Sequence, residues 1–392
     1  MKPPPPARSG PASASSTWRP KTWPSSAGGW MRRAASTSDA RVWLALLVAS
    51  LVLAACRPAP ERVEQLLVFG STAEIRLRGA DPDAAQAALA ELSADLNQRH
   101  REWHAWEPSD VTRINQAFAA GESVEAPASV IELVRLAQPL SEATGGLFDP
   151  AIGGLVEAWG FHTSSFPILT PTPADDTLAR WLEHRPRITG VHIDGTRLRA
   201  DNPRTQLDFA AMAEGVAARE VAATLARHQV HDALVNLGGD VMALVAEGSP
   251  PWRVALRDPF GGVLGTVELA DRESLFSSGN YNKFRYSAAG ARQAHILDPR
   301  TGQPARGAAS VVVLHPDPVL ADVAASALFV AGPSGFAGLA RRLGLGCALM
   351  VTDENEMLVT AAMKARITLA RDPVPLGAPL DLGAGCSAAP AG

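Results

Sequence analysis

Three short segments in the last third of this chain constrain it more than anything else. They are Ser277-Ser278-Gly279-Asn280-Tyr281, the run His295-Ile296-Leu297-Asp298-Pro299-Arg300-Thr301-Gly302-Gln303-Pro304, and Ala321-Asp322-Val323-Ala324-Ala325-Ser326-Ala327-Leu328-Phe329. The first two are dense in small, turn-forming and polar residues, as a loop that receives a ligand would be. The third reads as the start of a helix, on which Asp322 and Ser326, four apart, project from one face. A carboxylate and a hydroxyl side by side suit a hard cation such as Mg²⁺, which takes oxygen ligands and commonly holds substrate phosphates as well. His295 is the candidate base nearby.

Together the three segments resemble the ApbE family, flavin transferases that move FMN from FAD onto a protein hydroxyl. That family shows T-S-G-D-Y, H-I-x-D-P-x-T-G-x-P and A-D-A-L-A-T-A-L-F in this order. Earlier segments extend the resemblance to about residues 66–365. Trp103–Pro108 with Ser109–Asn115 is similar to S-T-Y-R-P-x-S-E-I-S-R-F-N, with Trp106 at the family's Tyr. Leu147–Gly153 and Trp159–Phe161 resemble G-x-F-D-x-T-V-G-P-L-x-x-x-W-G-F. Leu207–Gly215 resembles D-L-S-A-I-A-K-G-Y-A-V-D, and Leu234–Val241 contains the counterpart of V-N-I-G-G-D.

The resemblance implies an α+β protein of the T-fold-like ApbE type, with mixed sheets, packed helices and a flavin site in a cleft between subdomains. It implies FAD as substrate and Mg²⁺ bound by Asp322, Ser326 and the main-chain carbonyl of Ala211, with His295 taking the proton of the incoming hydroxyl. Phe69, Ala105, Trp106, Asp149, Asp208, Glu214, Gly238, Gly239, Ser278, Gly279 and Ile296 would line the flavin cleft. Trp106 either packs on a ring or closes the core edge, and Asp149 either binds ligand or holds its loop together. Gly238-Gly239 lets backbone N–H groups approach a phosphate, because no Cβ intrudes. The chain departs from the family at Glu214, where the family has a FAD-contacting Lys, and at Arg219, where it has Asp. A Glu beside an anionic ligand costs affinity unless another cation compensates; pairing of Glu214 with Arg219 is the alternative. Asp298-Pro299 shapes a turn.

The amino terminus reads as an address. Residues 1–30 are rich in Pro, Ser, Gly and Trp and cannot form a packed unit. Met31-Arg32-Arg33 then opens a basic segment, and the uncharged run from Val42 to Ala55 has the length of a signal-peptide core rather than of a membrane span. It ends in Leu53-Ala54-Ala55-Cys56, which resembles the lipobox of bacterial lipoproteins, whose Cys carries the lipid. The expected organisation is a signal peptide over 1–55 (with Met31 as the alternative start), a lipid-anchored linker over 56–65, a transferase domain over 66–370 and a disordered tail over 371–392. The protein is then expected on the periplasmic face of a bacterial membrane, the inner one by preference, with Arg57 leaving that choice open. Its partner would be an acceptor protein bearing a target Thr or Ser, such as a subunit of a membrane redox complex.

Composition narrows the alternatives. A net charge of −4 over 392 residues, without a Lys/Arg run in the body of the chain, argues against a nucleic-acid partner. The three cysteines, Cys56, Cys347 and Cys386, contain no C-x-x-C, so neither a zinc site nor a disulfide framework is expected. Two other functions compete with flavin transfer. One is a periplasmic FAD pyrophosphatase giving FMN and AMP, the other a non-catalytic flavin-binding lipoprotein, for which Glu214 is the best argument.

The hydrophobic pattern predicts a first strand over 66–77 broken at Gly70, helices over 81–102, 129–144 and 177–184, and a hairpin around Asp194-Gly195. It predicts a helix ending near His228, a buried strand over 234–241, a strand pair around 258–262, a helix over 334–343 and a closing hairpin at 347–360.

Overall fold

A computed structural model of the chain describes residues 61–386 apart from 166, 167, 282, 288, 289, 291, 372 and 384. The basic segment, the apolar run and Cys56 lie outside the described residues.

One strand that the sequence pattern did not single out explains the architecture. Ala308–His315 is buried at every position, so it must be covered on both faces. Its alternate residues go to different layers. Val311 and Val313 join the larger core with the helices, whereas Val312 and Leu314 join a second core with Trp252, Val254 and Leu256. The strand lies within a nine-stranded sheet, in the order Glu61–Val68, Ser71–Arg78, Ala233–Leu237, Asp240–Leu244, Ser274–Gly279, Ala308–His315, Cys347–Thr352, Glu356–Val359 and Val374–Pro375. All neighbours pair antiparallel except the last, which is parallel. Helices Pro82–Trp103, Ala213–Arg227 and Pro318–Arg342 supply residues to the larger core. A three-stranded sheet, ordered Ile367–Leu369, Val263–Leu269 and Trp252–Arg257, covers the second core.

The helices begin where their caps dictate. Asp81 accepts the amides of Asp83 and Ala84, and Ser109 and Thr112 form a reciprocal capping box at the head of Asp110–Ala119. Asp317 caps Pro318–Arg342, whose first residue is a proline that needs no hydrogen-bond acceptor. That span is broken at Gly332-Pro333, where Gly332 takes a non-helical φ of 64°, so it holds two helices, as expected.

Several expectations are corrected. The first strand begins at Glu61, inside the stretch expected to be linker, and 61–78 is a hairpin rather than one broken strand. Its two-residue turn, Phe69-Gly70, has positive φ at both positions (54° and 71°), as a primed hairpin turn requires. Phe69 is an unusual choice there, so the pattern concealed the turn. The short helix starts at Asp175, ahead of the expected Thr177, and has no side-chain cap. The tail expected to be disordered is tied down as far as Cys386: Val374–Pro375 adds to the sheet edge, and Thr360 bridges Leu380. Cys347 and Cys386 form a disulfide, against the expectation of none; their separation of 39 residues hid a pair that the returning tail brings together.

Candidate active site

The site forms where the helix and sheet layers meet the loops after Ser274–Gly279. A cavity of about 280 Å³ is lined by Asp208, Ala211, Gly238, Ser278, Gly279, His295, Ile296 and Ser326, among others. It adjoins a chamber of about 390 Å³ lined by Phe69, Trp103, Ala105, Trp106, Phe161 and Glu214, with Asp208, Lys283 and His295 shared by both. Most of the residues singled out from sequence are thus brought to one cleft.

Asp322 lies buried behind the cavity wall, held by the amide of Gly215 on its Oδ2 at 2.9 Å. Gly215 is needed for that approach: a Cβ there would lie 2.6 Å from the Pro318 carbonyl oxygen and 3.0 Å from the Asp322 Cβ. One helical turn on, the Ser326 hydroxyl lies 2.9 Å from that of Ser278. The Ser278 strand and the Pro318–Arg342 helix therefore bring two hydroxyls together at the cavity. Burial raises the Asp322 carboxyl well above the ordinary range, with the negative charges of Glu214 and Asp240 adding to the effect. Asp240 is raised likewise, by burial and then by Glu214, although it accepts the Ser277 amide at 2.7 Å. Among the described residues no group of three or more His, Cys, Asp or Glu side chains is arranged to hold a metal by itself. The residue types expected there, one carboxylate, one hydroxyl and one carbonyl, are all oxygen donors of the kind a hard cation takes.

His295 has its tautomer set by the backbone. Its Nδ1 lies 2.9 Å from the Lys283 carbonyl, an acceptor only, so Nδ1 carries the proton and Nε2 keeps its lone pair. Burial, reinforced by the charge of Lys283, lowers its pKa to about 4. The imidazole is neutral at neutral pH and able to accept a proton. Phe161 meets the ring edge-on at 6.3 Å.

The walls show which alternatives hold. Trp106 stacks on His162 at 5.2 Å and lines the aromatic chamber, so it does not close the core edge. Phe69 stacks on Trp103 at 5.8 Å, and its amide donates to His100 Nδ1 at 3.1 Å, which together hold the turn at positive φ. Asp149 accepts the amides of Ala151 and Ile188 on its Oδ1, so its carboxyl holds the loop while also lining the cavity. Gly238 lines the cavity, but Gly239 faces a separate groove. Their amides are taken by the Thr72 carbonyl and the Asn236 side chain, so the pair is a hairpin turn rather than a phosphate cradle. Gly279 is required because a Cβ there would overlap the Tyr281 ring. Arg219 pairs with Glu132 at 3.6 Å, not with Glu214. Burial raises Glu214 to about 7, against the pull of Lys283.

Two residues of the cleft, and one bonded to its wall, were missed. His162 binds Asp208 through Nε2 at 3.0 Å, and this bond, with the imidazole's charge, holds the Asp208 carboxyl below its usual range although burial acts to raise it. Asp240 stands at the end of the Gly-Gly turn, where sequence attention stopped at the glycines. Lys283 follows the first motif by two residues and carried no signal of its own. Asp298 shapes its turn, as expected, by chelating Arg300 and accepting the Arg300 amide.

The ApbE family model matches residues 69–350. A Rhodobacter capsulatus FAD:protein FMN transferase is 40% identical over 337 residues, covering 86% of this chain and 64% of its own length, so the chain spans less than two thirds of that relative. A Vibrio cholerae FAD:protein FMN transferase is 28% identical, covering 74% of this chain and 88% of its own. Among solved structures, the ApbE protein of Thermotoga maritima superposes with a TM-score of 0.71 at 24% identity, over 80% of this chain and 100% of that one. The apo flavinyl transferase ApbE of Pseudomonas stutzeri superposes with a TM-score of 0.68 at 29% identity, over 79% and 98%. Motif order, cleft and family match agree, and the chain belongs to the ApbE family.

Proposed function

We propose that the protein is an FAD:protein FMN transferase, acting on a Thr or Ser of an acceptor protein and releasing AMP. The observation that carries this is the convergence of His295, Ser326 and Ser278 on one cavity, with Asp322 directly behind it and an aromatic chamber beside it. Relatives bearing this activity as their name support it.

In the reaction the acceptor hydroxyl oxygen forms a bond to the FMN-side phosphorus of FAD, and the bond from that phosphorus to the bridging oxygen breaks. AMP leaves with the bridging oxygen, and the hydroxyl proton passes to His295 Nε2, the one imidazole nitrogen with a free lone pair. Asp322, Ser326 and the Ala211 carbonyl would hold Mg²⁺, which when bound neutralises charge on the diphosphate. Asp208, kept ionised by His162, is placed to accept hydrogen bonds from the flavin. The aromatic walls around Phe69 and Trp106 suit a planar ring.

The same proposal places the protein on the periplasmic face of a bacterial membrane, anchored through a lipid on Cys56, with the inner membrane preferred. The Cys347–Cys386 disulfide supports an oxidising compartment and leaves Cys56 as the remaining cysteine.

The test is incubation of the purified protein with FAD, Mg²⁺ and an acceptor domain carrying a target Thr. A fluorescent, covalently labelled acceptor is expected. FMN without labelling would make the protein a pyrophosphatase, and intact FAD would make it a binding protein.

A further inference from the structure

Among the described residues the cleft is rich in carboxyl groups and nearly bare of lysine and arginine side chains, which neither its motifs nor the proposed cation site accounts for. Its described walls carry Asp149, Asp208 and Asp240 in the inner cavity and Glu214 in the aromatic chamber, with Asp322 buried behind. A dinucleotide brings further negative charge on its diphosphate. Among the described residues lining the two chambers there is a single lysine or arginine, Lys283, and it lines both. Asp208 is already engaged by His162 at 3.0 Å, and among the described residues the Lys283 ammonium forms no ion pair. Its field nonetheless reaches the whole site: it acts on Asp208, on Glu214 and on His295. Its main chain is tied to the proposed base, because its carbonyl accepts the Nδ1 proton of His295 at 2.9 Å.

We propose that Lys283 is the residue that recognises the diphosphate, its ammonium bonding phosphate oxygens of the bound dinucleotide and so selecting phosphorylated flavins over uncharged ones. It thereby supplies, from the segment after Ser274–Gly279, the positive charge that Glu214 does not. The assignment rests on the flavin-transferase reading and deepens it. A charge-assisted bond of this kind, in a site walled by carboxylates, is among the stronger polar contacts available to a ligand.

The experiment is titration of FAD, FMN and riboflavin into the full-length protein, followed by flavin fluorescence, for the wild type, Lys283→Met and Lys283→Arg at low and moderate salt. The wild type is expected to bind FAD more tightly than riboflavin, with an affinity that falls as salt rises. Lys283→Met should weaken FAD by about 10-fold or more and flatten the salt dependence, while riboflavin stays within about 2-fold of the wild type. Lys283→Arg should restore most of the loss. Unchanged riboflavin binding doubles as the check that the variant folds. If Lys283→Met binds FAD as the wild type does, or loses riboflavin equally, the recognition role is overturned while the flavin site stands. If the wild type shows no preference for FAD over riboflavin, the dinucleotide reading fails and the role of Lys283 goes with it.

Discussion

His295 is a base defined by what its two nitrogens face. Because the Lys283 carbonyl takes the Nδ1 proton, replacing His295 with Ala should lower labelling by about 10²–10⁴-fold while leaving FAD binding largely intact. Comparison of labelling rates with FAD titrations checks this. The working form is the neutral imidazole, and burial holds its pKa near 4. Any acid limb due to this group should therefore fall below about pH 5, the neutral form being lost only as pH drops through the lowered value. A rate limb centred near ~6.5, the ordinary histidine value, would contradict the assignment. Asp322→Ala should abolish Mg²⁺-dependent labelling, and normal labelling by that variant would remove Asp322 from the cation site.

At the level of elements, the site depends on the close crossing of Ala213–Arg227 against the head of Pro318–Arg342. Gly215 permits that crossing and donates the bond that holds Asp322. Gly215→Ala forces its Cβ against the Pro318 carbonyl, 2.6 Å away, so it should cost about 1–3 kcal/mol and displace Asp322 as well. A lower Tm together with a raised Mg²⁺ requirement would show both effects; an unchanged Tm would mean that the helices part freely. The Leu207–Asp208 segment is pinned in a similar way, by the buried Asn115, which gives and takes a hydrogen bond with the main chain of Leu207. At the far edge of the sheet, the disulfide closes a 39-residue separation, so Cys386→Ser should lower stability by about 2–4 kcal/mol through the freed unfolded chain. Denaturant unfolding in the presence and absence of reductant measures it, and the two should converge for the variant.

For the whole molecule, the half-buried carboxyls of Glu214 and Asp240 and the buried one of Asp322 all have raised pKa values, Glu214 to about 7. A raised acid is favoured protonated in the folded state, so its contribution is present below the unfolded value near ~4 and is lost as pH climbs through the folded value. Metal-free protein should therefore lose stability from about pH 5 to pH 8, apart from groups such as Asp208 whose lowered pKa acts in the opposite sense at lower pH. Mg²⁺ should raise Tm more at pH 8 than at pH 5, since it replaces protons on the same oxygens. Calorimetry with chelator and with Mg²⁺ at both pH values is the measurement. A metal-free Tm that is flat across the window would mean that these carboxylates are solvated rather than buried.

Local order carried much of this protein in its sequence. The motif segments, the helices over 81–102 and 129–144 and the Asp322–Ser326 spacing are all set by neighbours within a few residues, whereas the strand Ala308–His315, buried on both faces, left no alternation to read. Backbone geometry translates such patterns directly into a face or a turn. What only the tertiary structure decided joins residues far apart in the chain: His162 to Asp208, Cys347 to Cys386, Arg219 to Glu132 rather than Glu214, and Lys283 into a cleft of carboxylates. Those partners are selected by strand register and helix crossing, which place a charge beside another charge without leaving any periodic trace along the chain.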